Sequence, residues 1–211
     1  SRAGTTTINM SYMDTTVDLE RLRADIVFTE KLRGLSFTFH STWGLFSPRN
    51  IDEGTRLLVE RMEIESADDC FDLGCGYGPI GLVMARLAPH GQTLMVDKDF
   101  VAVEFSTKNA ELNHITNATA IVSNGFTQIE CTQCFDVVAS NIPAKVGKEL
   151  LTLYLYDALL RLKPAGRLYV VTINGLRQFM KRNLTDVFGN YEKIKQGRAY
   201  TVAMAKKEQW L

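Results

Sequence analysis

From residue 70 to residue 188 the chain alternates short apolar runs with amphipathic stretches of helical period, and this alternation constrains the fold more than any other feature. The apolar runs are CFDLG from Cys70, TLMVD from Thr93, ATAIVS from Ala118, FDVVAS from Phe135 and GRLYVVTI from Gly166. Helices are predicted over residues 79–87, 100–112, 148–162 and 176–188. Pro79 suits a first helical turn, and Lys163-Pro164-Ala165-Gly166 is a stop signal. Near-continuous apolar strands separated by helices pair in parallel and are covered on both faces. The closing stretch YEKIKQGRAYTVAMAKK reads as a hairpin turning at Gln196-Gly197, which adds an antiparallel edge. The predicted fold class is therefore α/β, a three-layer sandwich around a seven-stranded, mostly parallel sheet. Upstream, IVFTEK and LSFTFH flank Arg33-Gly34 as a second hairpin. The loop TWGLFSPRN and a helix over about residues 51–62 follow it. Residues 1–24 are expected to be a poorly ordered lead-in and 25–211 a single domain, with hairpin and helix in 25–62 and the alternating core in 63–211.

No apolar run among the 211 residues approaches the roughly 20 that a membrane helix needs, so no membrane partner is expected. The first residues lack a basic stretch followed by an apolar one, so no secretory signal is read there. Four cysteines, at 70, 75, 131 and 134, are too sparse for a disulfide scaffold and point to a reducing, cytoplasmic setting. Cys131-Thr-Gln-Cys134 has no second pair to complete four zinc ligands, and His40, His90 and His114 match no metal spacing, so no metal is expected. Net charge is zero, but it is unevenly spread. Residues 1–140 hold 11 Lys and Arg against 19 Asp and Glu, a net of −8. Residues 141–211 hold 13 against 5, a net of +8, which either attracts a polyanion or is an ordinary solvated surface.

Asp72-Leu73-Gly74-Cys75-Gly76-Tyr77-Gly78-Pro79-Ile80-Gly81 ends the first core strand and opens a helix. Glycines there permit a tight turn and close ligand approach, and the helix start offers unpaired N–H groups. Gly76-x-Gly78-x-x-Gly81, with Asp97 downstream, formally fits a dinucleotide site and hence a nicotinamide-dependent oxidoreductase. Against that, the first glycine of such a pattern should follow the strand directly, whereas here an acidic residue, Asp72, ends the strand and Gly74 and Gly76 come next. A carboxylate at Asp72 suits a ligand carrying positive charge, such as the amino group of S-adenosylmethionine, better than a pyrophosphate.

On these residues the chain resembles class I S-adenosylmethionine-dependent methyltransferases. Asp72 to Gly78 is similar to their first motif, and Asp97 to the acidic residue that holds the ribose hydroxyls. Asn124-Gly125 stands where an Asp often meets the adenine amino group. Ser140-Asn141-Ile142-Pro143-Ala144 resembles the Asn-Pro-Pro-aromatic signature of enzymes that methylate planar amino nitrogens, with Ile142 for the first proline and Ala144 for the aromatic. Gly44-Leu45-Phe46-Ser47 and Asp52-x-Gly54-Thr55 resemble the entry segment of the small-domain methyltransferase family, which includes ribosomal RNA guanine-N2 methyltransferases and stand-alone relatives. The resemblance implies a Rossmann-like core with strand order 3-2-1-4-5-7-6 and S-adenosyl-L-methionine as cofactor. It implies a cofactor site of Phe46, Thr55, Asp72, Leu73, Gly74, Cys75, Gly76, Asp97, Lys98, Asn124, Gly125 and Asn141. Asn141 with Ile142 and Pro143 would orient the acceptor, and Phe46 or Trp43 would replace the missing aromatic. The implied activity is N-methylation of an exocyclic amino group of a ribosomal RNA guanine. A protein substrate, methylated on a glutamine amide, and a non-catalytic cofactor-binding module stand as alternatives.

Overall fold

The computed structural model describes residues 7–9 and 16–208. In chain order the elements are β1 (Thr7–Asn9), β2 (Thr16–Asp18), α1 (Leu19–Arg23), β3 (Ile26–Leu32), β4 (Leu35–Ser41), α2 (Glu53–Arg61), β5 (Cys70–Leu73) and α3 (Pro79–Leu87). There follow β6 (Thr93–Asp97), α4 (Phe100–Leu112), β7 (Ala118–Val122), β8 (Phe135–Asn141), α5 (Lys148–Arg161), β9 (Leu162–Ile173), α6 (Arg177–Phe188), β10 (Glu192–Gln196) and β11 (Tyr200–Lys206). Strands β5 to β11 form one sheet in the order β10-β11-β9-β8-β5-β6-β7, parallel except where β11 pairs with β9 and β10. Counted from β5, that is the anticipated order 3-2-1-4-5-7-6.

The period-two alternation of the strands divides the core between the two faces of the sheet. Cys70, Met95, Val137, Ala139, Tyr169 and Val171 turn toward α2, α3 and α4 and join Leu58, Val59, Val83 and Met84. Phe71, Val96, Val138, Leu168 and Val170 turn the other way and join Leu151, Leu155, Met180, Leu184 and Phe188 of α5 and α6. Because both faces are covered, the strands read as continuous apolar runs instead of alternating ones.

The β3–β4 hairpin lies outside this sheet, and α4 holds it by a device that hydropathy does not reveal. Asn109 Oδ1 accepts from His40 N at 2.8 Å while its Nδ2 donates to His40 O at 2.9 Å. Asn113 does the same to Thr38, at 2.9 and 2.8 Å. Four residues of helix rise about 6 Å and two residues of strand about 7 Å, so the two amides stand in for a neighbouring strand along β4. This blunts an otherwise open edge.

Two boundaries differ from the sequence reading. Helix α5 ends at Arg161, and Leu162 already pairs with Phe135, so β9 begins four residues before Gly166. Residues 163–166 loop out opposite Asp136, where Lys163 Nζ bridges Asp69 and Asp136 at 3.0 and 3.1 Å. Helix α6 begins at Arg177, after a single 3-10 turn over Asn174–Leu176. Within the lead-in, β1 pairs antiparallel with β2, and Asp18 caps α1, which buries no side chain. Residues 1–6 and 10–15 lie outside the described residues. No described helix is long and apolar enough to cross a membrane.

Candidate functional site

The carboxyl ends of β5, β6, β7 and β8 open into a cavity of about 610 Å³, the position where open α/β sheets bind ligands. Phe46, Thr55, Leu73, Gly74, Cys75, Gly76, Asp97, Lys98, Asn124, Gly125, Asn141, Ile142 and Pro143 all line it. Asp72, by contrast, is fully buried and does not reach the cavity.

The Asp72 carboxylate, which the sequence reading sets against a cationic ligand group, turns into the core in this fold. Strand alternation turns Asp72 to the same face as Cys70, beneath α3, and there its Oδ2 accepts from the Gly81 N–H at 2.8 Å. It thus caps α3, whose left-handed Gly78 has no side chain to do so. Gly81 is required for space: a Cβ there would lie 2.4 Å from Met95 Cγ and 3.0 Å from Asp72 Oδ2. The other oxygen, Oδ1, is buried without a hydrogen-bond partner. Burial pushes the Asp72 carboxyl up to about 7, only partly offset by the Gly81 N–H, with the nearby Asp97 charge adding to the rise.

The loop that follows is tied to β6. Gly74 N and Cys75 N both donate to Val96 O, at 2.9 and 2.8 Å. Gly76, in the left-handed region at φ +55°, donates its N–H to Asp97 Oδ2 at 3.0 Å. Asp97 Oδ1 accepts from Asp99 N at 2.9 Å. A carboxylate therefore already occupies the amide that a pyrophosphate would need, and its charge repels one, which argues against the dinucleotide reading. Ser106 of α4 supports the loop from beneath, donating to Gly76 O at 2.8 Å. Burial, with the Asp72 charge, raises the Cys75 thiol, so it stays protonated and serves the packing.

Beyond β7, Asn124 Oδ1 accepts from Tyr154 Oη of α5 at 3.3 Å, which leaves its second lone pair for a ligand amino group. A Cβ at Gly125 would lie 2.8 Å from the Tyr154 ring, so the turn and the ring are packed together. Over the opposite side runs the Phe46 loop. Tyr77 Oη donates to Ser47 O and Asn50 O, at 2.9 and 3.1 Å, fastening that loop to the glycine turn. Phe46 itself stays 64% exposed at the cavity mouth, available for stacking, whereas Trp43 does not line the cavity.

At the end of β8, Ser140 Oγ donates to Leu73 O at 2.8 Å, and Ile142 N to Val171 O at 3.0 Å. Between these anchors Asn141 Nδ2 donates to Asp52 Oδ2 and Thr55 Oγ1, both at 3.1 Å. Asp52 is the N-cap of α2 and also accepts from Tyr200 Oη at 3.1 Å. Asp52 and Tyr154, which line the cavity, and Tyr200, which holds Asp52, are among the residues that sequence reasoning missed. Asp52 had a signal, an acidic residue two before Gly54 at a helix start; the tyrosines had none. The pair Cys131 and Cys134 precedes β8, at the end of the strand remote from the cavity.

A methyltransferase-type Rossmann-like domain is what this sheet order and glycine loop define, and known proteins share it. The family model described as "Methyltransferase small domain" matches residues 36–204. The uncharacterized protein YbxB of Bacillus subtilis is 33% identical over 84% of this chain and 89% of its own length. Ribosomal RNA small subunit methyltransferase C of Hamiltonella defensa is 30% identical over 77% of this chain and 48% of its own. Among solved structures, the Thermus thermophilus 16S rRNA N2 G1207 methyltransferase (RsmC) in complex with AdoMet and guanosine superposes with a TM-score of 0.79. It is 26% identical and is aligned over 87% of this chain and 51% of its own. The chain belongs to the methyltransferase small domain family. It spans about half the length of the ribosomal RNA methyltransferases it matches.

Proposed function

We propose that this chain is an S-adenosylmethionine-dependent N-methyltransferase acting on the exocyclic amino group of a ribosomal RNA guanine. The observation that carries the reading is the Asn141 amide. Its NH₂ end is taken up by Asp52 and Thr55, which leaves Oδ1 as the free end in the cavity beside the glycine loop. An acceptor there suits an amino group, which brings N–H donors. The named activities of the ribosomal RNA methyltransferases it matches support the substrate class.

The residues present fit the cofactor. Asp97 would hold the ribose hydroxyls, Asn124 the adenine amino group, and the open backbone at Gly74 and Gly76, where a Cβ would meet nothing within 4 Å, the body of the ligand. When bound, S-adenosylmethionine supplies a methyl group on a sulfonium, with a neutral thioether as leaving group. The acceptor nitrogen would give up one proton to solvent as it gains the methyl group, so no acidic or basic side chain of the protein is called for. Asn141 Oδ1 and a neighbouring backbone carbonyl accept the two N–H bonds of the acceptor amino group and turn its lone pair into the cavity. Alignment of that kind lowers a barrier without new charge, because the orientation is set before reaction. The Phe46 ring takes the stacking role left open by Ala144, worth about 1–3 kcal/mol per base. Lys145 lines the cavity mouth, and Arg177 and Arg198 lie at the same carboxyl edge of the sheet, near the β9 end and the β10–β11 turn. Among the described residues none of the three is in an ion pair, so they are available to RNA phosphates.

The test is methyl transfer from S-adenosylmethionine labelled on the methyl group to transcribed, unmodified 16S and 23S ribosomal RNA. We expect label that resists protease, is released by ribonuclease and maps to N2-methylguanosine. Asn141→Ala is expected to abolish transfer while S-adenosylhomocysteine affinity changes less than about threefold. Label confined to protein, or transfer undiminished in Asn141→Ala, would overturn the reading.

A further inference from the structure

We propose that Asp52 is a positioning residue: it sets which end of the Asn141 amide faces the cavity, through a hydrogen-bond chain that joins α2, β8 and β11. The inference rests on the reading of Asn141 as acceptor for the target amino group and names what makes it one. An asparagine side chain is nearly symmetric in shape, and turning it by half a revolution exchanges one carbonyl oxygen for two N–H donors. Turned the wrong way, Asn141 would direct donors at an acceptor amino group that brings donors of its own. Of its two contacts, Thr55 Oγ1 does not choose between the ends, since a hydroxyl both donates and accepts. Asp52 does choose, because an ionised carboxylate only accepts.

The carboxylate is held for this task. Its Oδ2 accepts from Gly54 N at 3.0 Å and Thr55 N at 3.3 Å, as well as from Asn141. Its Oδ1 accepts from Tyr200 Oη. Gly54 is required beside it, because a Cβ there would come within 2.8 Å of the Tyr200 ring and 2.9 Å of Asp52 Oδ2. These contacts join residues 89 and 148 positions apart in the chain, so the cap of one helix also orders the loop after β8.

Two substitutions separate positioning from capping. Asp52→Ser keeps a good N-cap but is too short to reach Asn141 or Tyr200. Asp52→Asn keeps both: its amide oxygen stands where Oδ2 stood, still accepting from Gly54, Thr55 and Asn141, and its NH₂ meets Tyr200 Oη, which then accepts. With the labelled ribosomal RNA assay, we expect Asp52→Ser to lower kcat at least about tenfold, as loss of alignment does. KM for RNA and Kd for S-adenosylhomocysteine should stay within about twofold, and Asp52→Asn should keep most of the rate. A second readout needs no RNA. The Asn141 side-chain NH₂ resonances, assigned by their loss in Asn141→Ala, should exchange slowly with water in the parent and in Asp52→Asn and quickly in Asp52→Ser. Parental turnover and slow exchange in Asp52→Ser would reduce Asp52 to a helix cap and overturn the proposal. An Asp52→Asn enzyme as slow as Asp52→Ser would also overturn it, by assigning the effect to charge. Persistence of transfer in Asn141→Ala is a different result, and it removes the underlying reading instead.

Discussion

Asp72→Asn should flatten the pH dependence of stability, and the size of the effect follows from burial of the carboxyl. In the folded chain Asp72 is wholly enclosed, with Oδ2 on the Gly81 N–H and Oδ1 unpartnered, and desolvation raises it from 3.8 to about 7. The folded state therefore binds this proton more tightly than the unfolded state does. Its contribution is fully present below about pH 4 and is lost as pH rises through about 7. The full swing corresponds to about 4 kcal/mol, of which about 2–3 kcal/mol falls between about pH 5 and about pH 8. Asparagine keeps the acceptor for Gly81 and cannot ionise. Its NH₂ replaces the O–H of the protonated acid, so any cost of that unpartnered donor is an offset independent of pH. Urea unfolding of both proteins across this range gives the difference in stability at each pH, in which every other titrating group cancels. The parent should fall relative to Asp72→Asn by about 2–3 kcal/mol as pH rises. Parallel curves would refute the argument, since they would mean that water or a partner solvates the carboxylate.

Three further outcomes test other parts of the structure. Asp97→Ala should weaken S-adenosylhomocysteine binding by about 1.5–3 kcal/mol in calorimetric titration, because it removes a charge-assisted acceptor and frees the Gly76 N–H; unchanged affinity in a folded variant would take Asp97 out of the site. Asn109→Ala strips partners from both backbone groups of His40 and from Tyr77 O, and should cost about 2–3 kcal/mol in urea unfolding. A loss below about 0.5 kcal/mol would mean that water replaces the amide. Gly81→Ala forces Met95, itself fully buried, to move away from a contact of 2.4 Å and should destabilise by about 1–3 kcal/mol, while a neutral effect would mean that the Met95 side chain moves aside without cost.

Much of the architecture was legible in the residues themselves. Alternation after Cys70 specified the strands and helices, a short apolar strand before a glycine loop located the crevice, and the carboxyl-edge rule placed Asn141 at it, while Asp97 and Asn124 were named through the resemblance to class I methyltransferases. The former are inferences from local period and from topology, which neighbouring residues carry in their order. The surroundings of Asp72 were not legible for the same reason. A strand position was legible, but not which helix would cover it, and α3 with its bare Gly81 seals the carboxyl from the cavity. The Asn109 and Asn113 amides along β4, Tyr77 on the Phe46 loop and the link from Tyr200 through Asp52 to Asn141 were likewise decided by tertiary packing. A polar side chain has no intrinsic partner; its direction and its neighbours across many residues exist only once the layers are stacked. Local period and residue order were enough for a parallel sheet with a ligand crevice, whereas the direction of the Asn141 amide within it came from packing between distant segments.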